Sequence, residues 1–244
     1  MDVKGSVALV TGANRGIGKA FVDGLLKAGV ARVYATARDP SCLKDIVAKD
    51  PRIVPLALDV TDPKQIQAAV DVADDTTLLI NNAGMAGYAG LIAADTLAAA
   101  RAEMEVNYFG VLEIVRGFAP VLKANGGGAI VNLGSITSLV NFPLLGSYSA
   151  SKAATHSLTQ GVRAELSDQG TRVVGVYPGP VETDMAKDFD APKVPPSQIV
   201  EAVLKAVEDG TEDVYPDPFS AEIHGNLLKD PKAVERQIGE MRPE

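Results

Sequence analysis

The sequence predicts an α/β fold in which one doubly wound, seven-stranded parallel sheet is covered by helices on both faces. Three observations carry this reading. Short apolar runs rich in Val, Ile and Leu alternate with longer stretches of helical spacing along most of the chain. The runs that read as strands lie at 6–11, 32–37, 53–58, 77–80, 129–133, 172–177 and 213–215. The first of them ends in a glycine-rich turn that passes at once into a helix.

Helical spacing fills 15–28, 63–73, 97–124, 147–169 and 197–208, the segments between strands. Right-handed crossovers then place helices on alternate faces and leave ligands to bind beyond the carboxyl ends of the strands. The tail, 216–244, breaks the alternation. It carries Val234, Ile238 and Met241 at helical spacing and reads as one or two short helices packed on the domain. A length of 244 residues fits a single α/β domain, and no linker or low-complexity tract divides it.

Composition narrows the function classes. The formal charge of -8, from 23 basic and 31 acidic side chains, argues against nucleic acid or an anionic membrane as the main partner, since both demand a basic footprint. One cysteine, Cys42, and two histidines, His156 and His224, supply neither a disulfide nor a zinc site, and no metal is expected. No apolar run approaches the roughly 18 residues of a membrane span. The first strand begins at residue 6, which leaves no room for a signal peptide, so the expected location is cytoplasmic.

The first turn reads Thr11, Gly12, Ala13, Asn14, Arg15, Gly16, Ile17, Gly18. Its glycines let the backbone turn sharply and approach a pyrophosphate whose charge sits at the helix N-terminus. Three glycines at that spacing arise by chance roughly 0.2 times in such a chain, and adding Thr11 lowers this to roughly 0.01, so the motif weighs with the threonine included. Here the chain resembles the short-chain dehydrogenase/reductase family, whose first turn is T-G-x-x-x-G-x-G. The resemblance runs from residue 6 to about 185. Asp59 and Val60 follow the third strand, where the family places an adenine contact. Asn81, Asn82, Ala83 and Gly84 match its N-N-A-G, which supports the sheet and lines the cofactor. Pro178, Gly179, Val181 and Thr183 match the P-G-x-V-x-T that cups the nicotinamide. The resemblance implies one Rossmann-fold domain, 1–244, that both binds a dinucleotide and carries out the chemistry.

Charge argues for NADP over NAD. An NAD site of this kind places Asp or Glu at the end of the second strand, where it accepts from the ribose hydroxyls. Here that position is Ala37, followed by Arg38, with Arg15 in the glycine loop. Two guanidinium groups could bracket a 2'-phosphate, though Asp39 is close enough to swing onto a ribose.

Tyr148 and Lys152 stand four apart on a helix, which puts phenol and ammonium on one face. The family resemblance implies that this Y-x-x-x-K supplies the proton donor and acceptor. It also implies that Ser135, thirteen residues earlier, binds the substrate oxygen, that Asn107 helps hold a water-linked proton path, and that Lys152 reaches the nicotinamide ribose. Ser138 lies close by, but the spacing favours Ser135, and Gly134 stands where a serine is often found. A phenol with a pKa of about 10 is a poor base near neutrality, and a nearby ammonium is expected to favour the phenolate. The activity implied is NADPH-dependent interconversion of a ketone or aldehyde and an alcohol. A 3-oxoacyl thioester reductase and a non-catalytic NADP-binding sensor are the alternatives, and the intact set of four argues against the sensor.

Loops at 85–94, 136–145 and 185–196 are expected to choose the substrate. The apolar run Leu139, Val140, Asn141, Phe142, Pro143, Leu144, Leu145 points to a small hydrophobic carbonyl or alcohol, while Asp184, Asp188 and Asp190 disfavour anionic ones. Tyr88 either lines the pocket or is a surface aromatic. His156 is expected to pack or be solvated, Cys42 to be partly buried, and His224 to lack a partner. The resemblance implies a homodimer or homotetramer built through the helices at 97–124 and 147–169.

Overall fold

The computed structural model describes residues 1–187 and 189–242. Seven parallel strands form one sheet: β1 (Val7–Val10), β2 (Arg32–Ala37), β3 (Ile53–Ala57), β4 (Leu78–Asn81), β5 (Gly128–Leu133), β6 (Thr171–Val176) and β7 (Asp213–Val214). Their order across the sheet is β3-β2-β1-β4-β5-β6-β7. The order reverses between β1 and β4, which opens a crevice at their carboxyl ends. Predicted and observed strands agree to within one residue at their ends, where no periodicity marks a boundary.

Position in the sheet explains the composition of each strand. Every residue of central β4 is buried, whereas in β3 only Ile53 is. Pro55 sits in β3 because an edge strand can lose one ladder donor.

Helices α1 (Gly16–Ala28) and α7 (Pro196–Asp209) cover one face, where Phe21, Leu25, Val200 and Val203 meet Val10 and Ile80. On the other face lie α3 (Pro63–Val72), α5 (Val111–Ala124) and α6 (Gly146–Glu165), with Ile66, Phe118, Leu122 and Leu158 packed on Leu79 and Ile130. A short turn and α2 (Lys44–Val47) follow β2; the cap and proline that start the turn, Asp39 and Pro40, are visible in the sequence.

Several expectations change. The single helix read over 97–124 is α4 (Ala98–Met104), a π-helical turn over Glu105–Gly110, and then α5. At this turn Gly110 approaches Val60 so closely that a Cβ would lie 2.9 Å from the Val60 carbonyl oxygen, a contact between distant segments. The helix read over 147–169 ends at Glu165, followed by a 3-10 turn at Ser167–Gln169. Cys42 is exposed rather than partly buried, because Leu43, not Cys42, turns into the core. The tail forms two helices, α8 (Pro218–Lys229) and α9 (Pro231–Ile238), each started by an aspartate cap and a proline. Ile223, Val234 and Ile238 pack with Ile136, Val140 and Phe142 in a third apolar cluster of their own. His224 does have a partner: its ring stacks on Tyr215 at 3.7 Å and 10°. Pro243 and Glu244, at the end of the tail, and Asp188 lie outside the described residues. Among the described residues no helix is long and apolar enough to cross a membrane, and no group of three or more His, Cys, Asp or Glu could hold a metal ion.

Candidate active site

The glycine loop is built by backbone torsion and close approach. Gly12 and Gly16 have φ of 66° and 53°, the left-handed region that a side chain disfavours. Gly18 works differently: a Cβ there would lie 2.1 Å from the Gly12 carbonyl oxygen and 2.5 Å from Asn82 Nδ2. Its lack of a side chain lets the first turn of α1 settle on the loop. Thr11 then ties β1 to β4, its hydroxyl accepting the amides of Asn82 and Ala83, both at 2.9 Å. Asn82 Nδ2 donates to the Thr11 carbonyl at 2.9 Å and the Gly12 carbonyl at 3.2 Å.

Beyond these ends lies a cavity of about 830 Å³. Nearly all the predicted residues line it: Gly12, Asn14, Arg15, Gly16 and Ile17 from the first turn; Arg38, Asp59 and Val60 beyond β2 and β3; Asn82, Ala83 and Gly84 beyond β4; Ser135, Tyr148 and Lys152; and Pro178, Gly179, Val181 and Thr183 beyond β6. Gly18 and Asn107 stand behind its wall.

The structure suits a dinucleotide phosphate at the loop end. No side chain caps α1, and Gly16 and Ile17 of its first turn line the cavity, an arrangement that favours an anion at the helix start. Arg38 is exposed beside Ala37, and the Arg15 guanidinium reaches Asp184 at 3.5 Å across the rim. Asp39 also lines the cavity, but its carboxylate caps its own turn, accepting from Ser41 N at 2.9 Å, and hydrogen bonds from Ser41 hold it below the usual carboxylate range.

At the other end stand the titrating groups. Ser135 and Ser138 form a reciprocal cap, Ser135 Oγ accepting from Thr137 N at 3.2 Å and Ser138 Oγ accepting from Ser135 N at 3.3 Å. Ser135 lines the cavity and Ser138 does not. Tyr148, in the first turn of α6, keeps its proton well above the usual phenol range; burial is the main cause, with smaller upward contributions from Tyr88 and Glu103. A hydrogen bond with Ser135 acts in the opposite direction. The expected lowering by Lys152 is therefore not what the protein's own groups produce. Lys152 Nζ lies 5.7 Å from the Tyr148 ring centre and donates to the Leu133 carbonyl at 2.7 Å. Burial brings the Lys152 ammonium down to about 8.

Asn107 sits in the π-helical turn, fully buried. Its Oδ1 accepts from Met85 N at 3.0 Å, while Nδ2 donates to the Met85 carbonyl and to Ser151 Oγ, both at 2.9 Å. The side chain thus holds the main chain after β4 in place. One turn earlier Glu103, also fully buried, accepts from Gly87 N at 2.6 Å through Oε1, while Oε2 has no partner. Sequence reasoning missed this carboxylate because an acidic residue in a helix ordinarily reads as surface. Behind Ser135, Gly134 leaves room for Tyr177, whose ring carbons would stand 3.0 Å from a Cβ there. His156 Nδ1 pairs with the Tyr177 hydroxyl at 2.7 Å, so His156 packs outside the cavity. Tyr88 lines the cavity while staying 46% exposed, and its φ is 51°.

A sequence model described as short chain dehydrogenase matches residues 6–193. The chain belongs to the short-chain dehydrogenase/reductase family. A short-chain dehydrogenase from Burkholderia cenocepacia, solved in complex with NADP, is 44% identical with a TM-score of 0.93, covering 98% of this chain and 99% of that one. D-erythrulose reductase of Gallus gallus is 37% identical over 77% of this chain and 76% of its own length. An uncharacterized oxidoreductase of Staphylococcus saprophyticus is 31% identical over 85% of this chain and 93% of its own. As a short-chain dehydrogenase/reductase the chain is an oxidoreductase, with the family's Rossmann-like sheet in full.

The close contact at Gly18 yields a prediction. Gly18→Ala should weaken dinucleotide binding, measured by calorimetric titration, by more than about tenfold, or about 1.4 kcal/mol. Unchanged affinity would show that the loop does not need this contact.

Proposed function

We propose that the protein is an NADPH-dependent oxidoreductase that interconverts an apolar ketone or aldehyde and its alcohol, with Tyr148 exchanging the proton. The observation that carries this reading is the pairing of Tyr148 with Ser135 in the same cavity as the uncapped start of α1. Gly12, Asn14, Gly16, Ile17 and Gly18 would hold the pyrophosphate, with Asp59 and Val60 at the adenine, Asn82, Ala83 and Gly84 along the middle, and Pro178, Gly179, Val181 and Thr183 at the nicotinamide. Arg15 and Arg38 would take a 2'-phosphate. Ala37 in place of a carboxylate and the engagement of Asp39 in capping its own turn support NADP over NAD, as does the NADP bound in the Burkholderia relative.

A dinucleotide held by these residues would supply or accept the hydride and, in its oxidised form, would carry a positive charge on its nicotinamide ring. In the reducing direction Ser135 Oγ donates a hydrogen bond to the carbonyl oxygen and Tyr148 Oη transfers its proton to that oxygen. The Lys152 ammonium, aimed at the same region, stabilises the phenolate left behind. Asn107 keeps Met85, at the edge of the pocket, from shifting. Phe142, Leu145, Met185 and Phe189 give the substrate end an apolar lining, in keeping with an uncharged substrate. The whole chain acts as one domain, and exposed Leu97 and Phe109 on the α4 to α5 side suit burial in a homodimer or homotetramer.

Mixing the protein with a panel of ketones, aldehydes and 3-oxoacyl thioesters should consume NADPH, followed at about 340 nm, with higher kcat/KM than NADH; tight NADPH binding without turnover would favour a sensor. Tyr148→Phe should retain NADPH affinity and lose turnover by a factor on the order of 10² to 10⁴. Retained activity would remove Tyr148 from the chemistry. Lys152 carries its charge below about 8 and loses it above, so reductive kcat/KM should hold at lower pH and fall as pH rises through about 8. A profile flat across that region would show that the ammonium is not used.

A further inference from the structure

The family match ends at residue 193, yet α8, beyond it, places Phe219 in the lining of the cavity. Asp217, the cap of α8, is 3% exposed and uses both carboxylate oxygens: Oδ1 accepts from Ser220 N at 2.9 Å, and Oδ2 accepts from Ser220 Oγ at 2.9 Å and from Gly179 N at 2.8 Å. A carboxylate is costly to bury unless donors surround it, and here three of them do. One of the three belongs to the loop assigned above to the nicotinamide. Two residues on, Phe219 lies against that loop, its Cδ1 only 2.7 Å from where a Cβ on Gly179 would stand. The Phe219 ring also lines the cavity and faces Phe142 at 6.4 Å between centres and 50° between planes. Phe142 comes from the segment that follows Ser135, and the third apolar cluster fastens that segment to α8 and α9.

We infer that the start of α8 contributes to the wall of the substrate pocket, with Phe219 a specificity-determining residue for aryl ketones and Asp217 the positioning residue that seats it. This rests on the reductase reading above. The two rings touch as a tilted pair and line the cavity together, so they offer a third ring the edge and face contacts that aromatic groups prefer. A short dicarbonyl has no ring with which to make them. Asp217 couples the two halves, because the bond that orients the Gly179 amide also fixes the start of α8 and hence the place of Phe219.

The test compares acetophenone with 2,3-butanedione in the full-length protein. Phe219→Ala should lower the ratio of their kcat/KM values by about tenfold, chiefly through the KM for acetophenone, and Phe219→Leu, which keeps most of the volume, should lower it less. Asp217→Asn keeps the shape but loses one acceptor; it should speed hydrogen exchange at the Gly179 amide by about tenfold and shift the ratio the same way. An unchanged ratio in all three variants would overturn the inference. A parent that reduces neither ketone would overturn the reductase reading instead, and titration of acetophenone into protein saturated with NADP⁺ then decides the inference separately. Parent binding that weakens in Phe219→Ala upholds it; no binding by the parent, or equal binding by both, defeats it.

Discussion

The site depends on how closely the first turn of α1 can approach the ends of β1 and β4. Gly18 makes that approach possible, and Thr11 and Asn82 secure it with hydrogen bonds from side chain to main chain. Everything downstream follows from the resulting crevice. It leaves the uncapped helix start facing a hollow, and it brings the loop after β4 beside α6. Gly84 takes up the remaining space: a Cβ there would stand 3.2 Å from Asn107 Oδ1 and 3.5 Å from Lys152 Nζ. The loop thus threads between two polar groups, and a side chain on Gly84 would press on Asn107.

A second constraint is polar burial on the α6 side. Asn81 Nδ2 donates to Asn132 Oδ1 at 2.8 Å, and Asn132 Nδ2 donates to Thr159 Oγ1 at 3.0 Å, a buried chain of bonds from β4 through β5 to α6. Such bonds are directional, so they fix the rotation of α6 about its axis more tightly than apolar contact can. Burial also acts on the titrating groups in opposite directions, raising Tyr148 and lowering Lys152, because in each case it disfavours the charged form. Both groups are therefore pushed towards neutrality by the protein itself. Charge arriving in the cavity has correspondingly more effect there than it would in water.

Much of the fold was legible in the sequence, for reasons that differ between elements. A buried parallel strand such as β1 reads as an unbroken apolar run, and the turn after it announces itself through glycines whose torsions few other residues adopt. The long helix over 97–124 was misread because α4, the π-helical turn and α5 share one helical spacing; the extra residue in the turn answers to the contact of Gly110 with Val60, 50 residues away in sequence. Ser135 and Ser138 were distinguished by spacing alone, and their reciprocal cap explains how adjacent hydroxyls come to face different surroundings. Glu103 and Phe219 were not legible, since nothing local distinguishes a buried carboxylate from a solvated one, or a pocket-lining ring from a core ring.

The sequence by itself determined what depends on neighbours along the chain: the order of strands and helices, the glycine turn, and the placing of Tyr148 and Lys152 on one helical face. Only the tertiary structure decided which of these groups share a cavity, how burial shifts their protons, and that Phe219 of the tail joins its lining. The bond from Gly179 to Asp217 spans 38 residues, and no local pattern encodes a contact of that kind. It forms because the loop after β6 leaves the Gly179 amide to be paired where the cap of α8 comes to rest.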